Sequence, residues 1–293
     1  MPELCAGRDR TRAMEGVCGS ASGGRALVLG GGGIAGSAWM TGLLLGLERM
    51  GLHLRRADLV VGTSAGSVVG AQIAGRTSLS DLCDSQRAGV SGGPVVGLGA
   101  GAVTRIAASK LTLDKAAGLR RLGRQVARRS NPDLAVGRRA VLAGRLPEHA
   151  WPDADLKVTA VNINTGRLEV FDRNGSVELV DAVTASCAVP FVWPPVHLGS
   201  HRYMDGGMWS GVNAHLAAGR DRVIVIAPIP FGARREMRGF GSHTEKLLIT
   251  PDRASRSTWG VNPLDPATAP AATDAGIAQA PRVADVVREA WEG

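Results

Sequence analysis

The stretch "ADLVVGTSAGSVVGAQIAG", residues 57–75, holds an apolar run, a serine between two glycines, and a second apolar segment at helical spacing. This order reads as a buried strand through Val61, a sharp turn at Ser64 and a helix running to about Ala74. Upstream, "RALVLG" at 25–30 and three glycines lead into a helix-compatible pattern from Ile34 to Met50, closed by Gly51. Two successive strand–turn–helix units predict a parallel sheet covered by helices. "RVIVIAP" at 222–228 adds a buried strand, and "LKVTAVNIN" and "RLEVFD" read as paired strands around residues 164–166. "VELVDAVTASCAV" at 177–189 reads as a helix stopped by Pro190.

With 293 residues, 44% of them hydrophobic, the chain can fill one large α/β core, and no linker divides its middle. The expected organisation is a flexible tail over 1–24 and one domain over 25–293. That domain has a core at about 25–230 and a helical extension at about 252–293. Within the extension, a helix between Ala271 and Trp291 is expected to break near Pro281. Residues 88–104, rich in glycine and small apolar side chains, read as a mobile or lipid-facing loop. Residues 105–129 read as a helix that becomes strongly basic, for which a solvated charged face is the simplest account.

The net charge of +8 suits an anionic membrane surface or a nucleic acid. A single Tyr, four Phe and no basic–aromatic alternation argue against nucleic acid. Cys5, Cys18, Cys83 and Cys187 are scattered, without metal-ligand spacing, and fit reduced thiols. The opening residues lack the apolar core of a secretory signal, and no stretch approaches the roughly 20 apolar residues of a membrane span. These features predict a cytoplasmic or membrane-peripheral protein.

The chemistry centres on "GTSAG" at 62–66. A serine on a tight strand-to-helix turn has its hydroxyl pushed out of the sheet, and Gly62 and Gly66 leave room for that turn. The helix behind it aims free amides and its positive dipole end at the site, with the amide of Ala65 as a natural donor to a developing oxyanion. "GGGIAG" at 31–36 fits a dinucleotide-binding turn, with Gly31, Gly33 and Gly36 at the pattern positions. That use requires an acidic residue ending the second strand, whereas Asp58 stands at its beginning. The other use is an anion cradle, in which the amides of Gly32 and Gly33 complete an oxyanion hole beside Ser64. No histidine stands in a catalytic context, although His201 or His215 could complete a triad. "YMDGGMW" at 203–209 sets Asp205 at a turn with Gly206 and Gly207, where partial burial makes a carboxylate a better base.

Taken in order, "GGGIAG", "GTSAG" and "DGG" resemble the patatin-like phospholipase family, and "ASCAVPFVWPPV" at 185–196 resembles the segment these proteins carry before their aspartate. The resemblance spans roughly residues 25–230. It implies a three-layer α/β fold, with a central, mostly parallel sheet and helices on both faces. It also implies a Ser-Asp dyad, with Ser64 as nucleophile and Asp205 as base, and an oxyanion hole from Gly31, Gly32, Gly33 and Ala65. The implied activity is that of a serine lipid acyl hydrolase on phospholipids or other long-chain acyl esters, needing no cofactor and no metal. Ala35 departs from the family, many members of which carry a lysine or arginine there. Two alternatives are a lipid-binding or regulatory protein of the same fold and a nucleotide-binding oxidoreductase.

Overall fold

The two strand–turn–helix units lie side by side in the computed structural model, which describes residues 23–89, 96–97, 99–128 and 132–293. Strand β1 (Arg25–Leu29) leads into α1 (Gly33–Arg49), and β2 (Leu59–Thr63) into α2 (Ala65–Ala74). The two strands pair in parallel, with Leu27 opposite Val60. A helical excursion follows, made of α3 (Leu79–Arg87), α4 (Ala100–Lys110), α5 (Lys115–Ala127) and α6 (Pro132–Arg145). The chain then forms β3 (Asp155–Asn162), β4 (Leu168–Phe171), α7 (Leu179–Ser186), β5 (Val196–Leu198) and β6 (His201–Asp205). It closes with β7 (Arg222–Ile226), α8 (Ala233–Met237), β8 (Glu245–Ile249), α9 (Arg253–Ser257) and α10 (Ala269–Glu292).

The sheet order is β5-β6-β3-β2-β1-β7-β8, with β4 also paired to β3. Strands β3, β2, β1, β7 and β8 run parallel. Strands β4 and β6 run antiparallel to β3, and β5 to β6. Because strand side chains alternate, the sheet buries both faces. Leu27, Leu29, Val60, Ile224 and Ile226 pack against α1, α2 and α10, while Val28, Val61, Val223 and Val225 pack against Val212, Ala214 and α8. A third cluster seats Leu119, Leu122 and Val126 of α5 on Val161 and Met204. This is the three-layer, mostly parallel α/β architecture.

Register along β3 positions the site. Strand β2 pairs with residues 155–159 of β3, β4 with 158–161 and β6 with 160–162. Since β4 overlaps both of the others, β2 and β6 must share the opposite edge of β3, running toward each other end to end. Thr63 lies opposite Thr159 and Asp205 opposite Ala160, so the residue after β2 and the last residue of β6 meet.

Three sequence expectations differ from the structure. The 105–129 segment is two helices, with α4 starting already at Ala100, inside the expected loop; residues 90–95, 98 and 129 lie outside the described residues. Helix α10 does not break at Pro281. A proline inside a helix costs about 3 kcal/mol. Burying Val287 and Trp291, at about 1.5–3 kcal/mol each, offsets that cost. The bond from Trp39 Nε1 to Gln279 Oε1 (3.1 Å) ties α10 to α1 as well. Finally, α3, α6, α8, β5, β6 and β8 went unforeseen. Residues 1–22 of the expected tail also lie outside the described residues.

Candidate active site

Ser64 occupies the turn between β2 and α2 at φ 53° and ψ −119°, a left-handed conformation that side chains rarely adopt. Three side chains hold this turn through its backbone. The Ser64 amide donates to Ser186 Oγ (2.9 Å), and the Ser64 carbonyl accepts from Ser67 Oγ (2.7 Å) and Cys187 Sγ (3.3 Å). Burial, the largest influence, pushes the Cys187 thiol up to about 11, so it stays a neutral donor. The strain sits on the serine itself, and the flanking glycines answer a different need. A Cβ on Gly62 would lie 2.6 Å from Ser67 Cα, and one on Gly66 would strike the Leu29 carbonyl. Only bare backbone lets strand and helix approach this closely.

Asp205, 2% exposed, ends β6. Its Oδ2 accepts the Ser64 hydroxyl at 2.7 Å, its Oδ1 accepts the Gly207 amide at 2.7 Å, and its own amide donates to the Ala188 carbonyl at 2.9 Å. Both carboxylate oxygens and the backbone amide are therefore held.

Behind both residues stands Asn213, in the left-handed region at φ 53°. Its Nδ2 donates to Thr63 Oγ1 (3.0 Å), Thr159 Oγ1 (3.2 Å) and the Ser210 carbonyl (3.0 Å). Thr63 precedes Ser64 and Thr159 lies beside Ala160, so Asn213 braces the two converging strand ends. Glu236 of α8 holds the same segment from outside, accepting from Ser210 Oγ and from the Ala214 amide (2.8 Å). Sequence reading missed Ser186, Asn213 and Glu236. Each acts across the fold; Ser186 lies within the 185–196 stretch that carries the resemblance, while Asn213 and Glu236 have no local signature.

The glycine loop forms the other wall. Gly31, expected among the oxyanion-binding residues, commits its amide to the Gly211 carbonyl (2.9 Å) and shapes the pocket instead. The amides of Gly32, Gly33 and Ala65 make no hydrogen bond among the described residues. Gly36 donates to the Gly32 carbonyl (3.0 Å), and Ala35 to that of Pro263 (3.0 Å), so the segment around Pro263 covers the start of α1. The resulting pocket, about 200 Å³, contains Ser64, Asp205 and Gly31–33, and its apolar wall includes Val189, Met208, Ile229, Phe231 and Leu264. None of the six histidines lines it. His201 starts the far end of β6, and His215 faces Glu236 at 3.7 Å. Asp58 binds the Arg25 amide (2.7 Å) at the end of the sheet opposite the glycine loop, away from where a ribose would be held.

Among solved structures, VipD from Legionella pneumophila matches with a TM-score of 0.45 and 13% identity, over 90% of this chain and 67% of that one. The type III effector protein ExoU matches with a TM-score of 0.39 and 16% identity over 92% of this chain; this chain spans about half of that one, 54%. No curated protein matches at a significant level. A family model, Patatin-like phospholipase, matches residues 27–218, an interval holding the glycine loop, Ser64 and Asp205. With most of its length inside that match, the chain belongs to the patatin-like phospholipase family.

Proposed function

We propose that the protein is a serine lipid acyl hydrolase, with Ser64 as nucleophile and Asp205 as its general base. The single observation carrying this reading is the 2.7 Å hydrogen bond from Ser64 Oγ to Asp205 Oδ2 at a strained turn. As Oγ attacks an ester carbonyl carbon, its proton passes to Asp205. Negative charge collects on the carbonyl oxygen, where the amides of Gly32, Gly33 and Ala65 are free to receive it. One such donor is worth about 10²–10³ in rate. The C–O bond then breaks as Asp205 returns the proton to the departing alkoxide, leaving an acyl-serine. Water attacks next, Asp205 takes its proton and passes it to Ser64 Oγ, and the fatty acid leaves.

The apolar wall supports an acyl substrate. At about 200 Å³ the pocket is smaller than the roughly 300–1,000 Å³ that encloses a drug-sized ligand, so it takes the first carbons of a chain. The remainder would lie along Ile229 and Phe231, which are 49% and 78% exposed. Among the described residues no helix is long and apolar enough to cross a membrane. The charge of +8 favours peripheral contact with an anionic surface instead.

The test is a panel of p-nitrophenyl esters of increasing chain length and phospholipid vesicles, comparing the native chain with Ser64→Ala. Release of fatty acid by the native chain alone is expected, with fluorophosphonate labelling at Ser64. A folded native chain that neither labels nor releases product overturns the reading and favours a lipid-binding role.

A further inference from the structure

Helix α6 carries arginines that face two ways. Arg139 points outward and pairs with Asp181 (2.5 Å) and Glu178 (3.0 Å). Arg138 and Arg145, seven residues apart and so on one helical face, turn inward. Neither makes an ion pair among the described residues, and the Nε of each is buried without a hydrogen-bond partner. Arg138 lies over the Trp193 ring at 4.4 Å, which shields its face without neutralising it.

Arg145 lines a cavity of about 580 Å³ between α1, α2, α3 and α6, together with Gln72 and Gln86. The Oε1 atoms of both glutamines are also buried without a partner. No carboxylate lines this cavity among the described residues; its other walls include Ile34, Val68 and Leu82.

Buried polar atoms normally have a partner, because leaving them alone is costly, and a half-buried guanidinium favours a counter-charge. Burial, and then repulsion from Arg138, hold the Arg145 guanidinium down to about 10, still protonated at neutral pH. Burial likewise lowers Arg138, against the pull of Cys187 and Asp205. A guest completing this site brings negative charge for the guanidinium and hydroxyl donors for the two glutamine oxygens. Guanidinium suits phosphate oxygens in both geometry and charge.

We propose that this cavity binds a phosphate ester bearing hydroxyl groups, with Arg145 supplying the counter-charge and Gln72 and Gln86 accepting from the hydroxyls. The inference goes beyond the hydrolase reading, since it needs no chemistry at Ser64. Such a group reaches the cavity either as a free polyol phosphate or as a lipid headgroup.

The Ser64→Ala chain, which removes turnover from the experiment, is titrated by calorimetry with glycerol 3-phosphate and with vesicles of phosphatidylglycerol or phosphatidylcholine. Saturable binding is expected and should weaken about tenfold or more when Arg145→Met is added, as for loss of a hydrogen bond to a charged group. A loss seen only with glycerol 3-phosphate assigns a free ester, and one seen only with phosphatidylglycerol assigns the headgroup. Equal affinity with and without Arg145→Met, or no binding in any arm, overturns the proposal. If Arg145→Met does not fold, Gln86→Leu probes the same cavity. Weaker glycerol 3-phosphate or phosphatidylglycerol binding then supports the site, and unchanged binding sinks it.

Discussion

The turn at Ser64 and the cavity beside α6 differ in how far their polar atoms are paired, although Asn213 Oδ1 behind the turn is also buried without a partner. At the turn, the Ser64 amide, carbonyl and hydroxyl and both Asp205 oxygens have partners within 2.7–3.3 Å. Beside α6, four side-chain atoms, on Gln72, Gln86, Arg138 and Arg145, are buried without any. An unmade buried hydrogen bond costs about 1–3 kcal/mol, more for a charged group. The difference teaches where the fold is finished on its own. The serine–aspartate geometry is already in place in the fold, whereas the cavity is complete only with something inside it.

If preorganisation at the turn is what drives hydrolysis, its removal should have the largest effect. Asp205→Asn keeps shape but not basicity, and should lower kcat about 10⁴-fold in a protein that still folds, while His201→Ala and His215→Ala retain most activity. Steady-state ester kinetics with circular dichroism check this; the opposite pattern would place the base on a histidine. Next comes Asn213→Ala, which strips the brace from Thr63 and Thr159. It should cost about 2–3 kcal/mol in urea unfolding and lower kcat more than it changes KM. A stable variant with native kcat would show that the strand ends hold themselves.

The smallest effect is expected at Glu236. Burial pushes its carboxyl up, but hydrogen bonds from His215, Ser210 and the Ala214 amide together outweigh that and hold it below the ordinary 4.5. With the folded value the lower one, its contribution to stability is full above about 4.5 and fades as pH falls through the folded value. Melting temperature measured down the acid limb should therefore fall less steeply in Glu236→Gln than in the native chain. Parallel acid limbs would remove Glu236 from the set of groups holding the Asp205 segment.

The legible parts of the chain were those whose signal is local. Leu59–Thr63 announces a buried strand by its apolar run, and "GTSAG" announces a turn by its spacing, because backbone sterics act over a few residues. The positive φ belongs to Ser64, while Gly62 and Gly66 are required by the close passage of other backbone. Helix α6 escaped notice because its inward face carries two arginines, so its pattern resembles a solvated segment. Strand β8 is short, half exposed and at the sheet edge, and its ladder with β7 carries what periodicity does not.

By itself the sequence determined the two strand–turn–helix units, the hydroxyl at the first turn of α2 and the carboxylate beside two glycines. Only tertiary structure decided that these groups touch, since 141 positions separate them and the register of β2 and β6 on one edge of β3 brings them together. It also decided that Gly31 donates to Gly211, that Asn213 braces the strand ends and that Arg138 and Arg145 face inward. The physical reason is range. Propensity and turn geometry are set by neighbours along the chain, while pairing register and burial are set by segments that become neighbours only after folding.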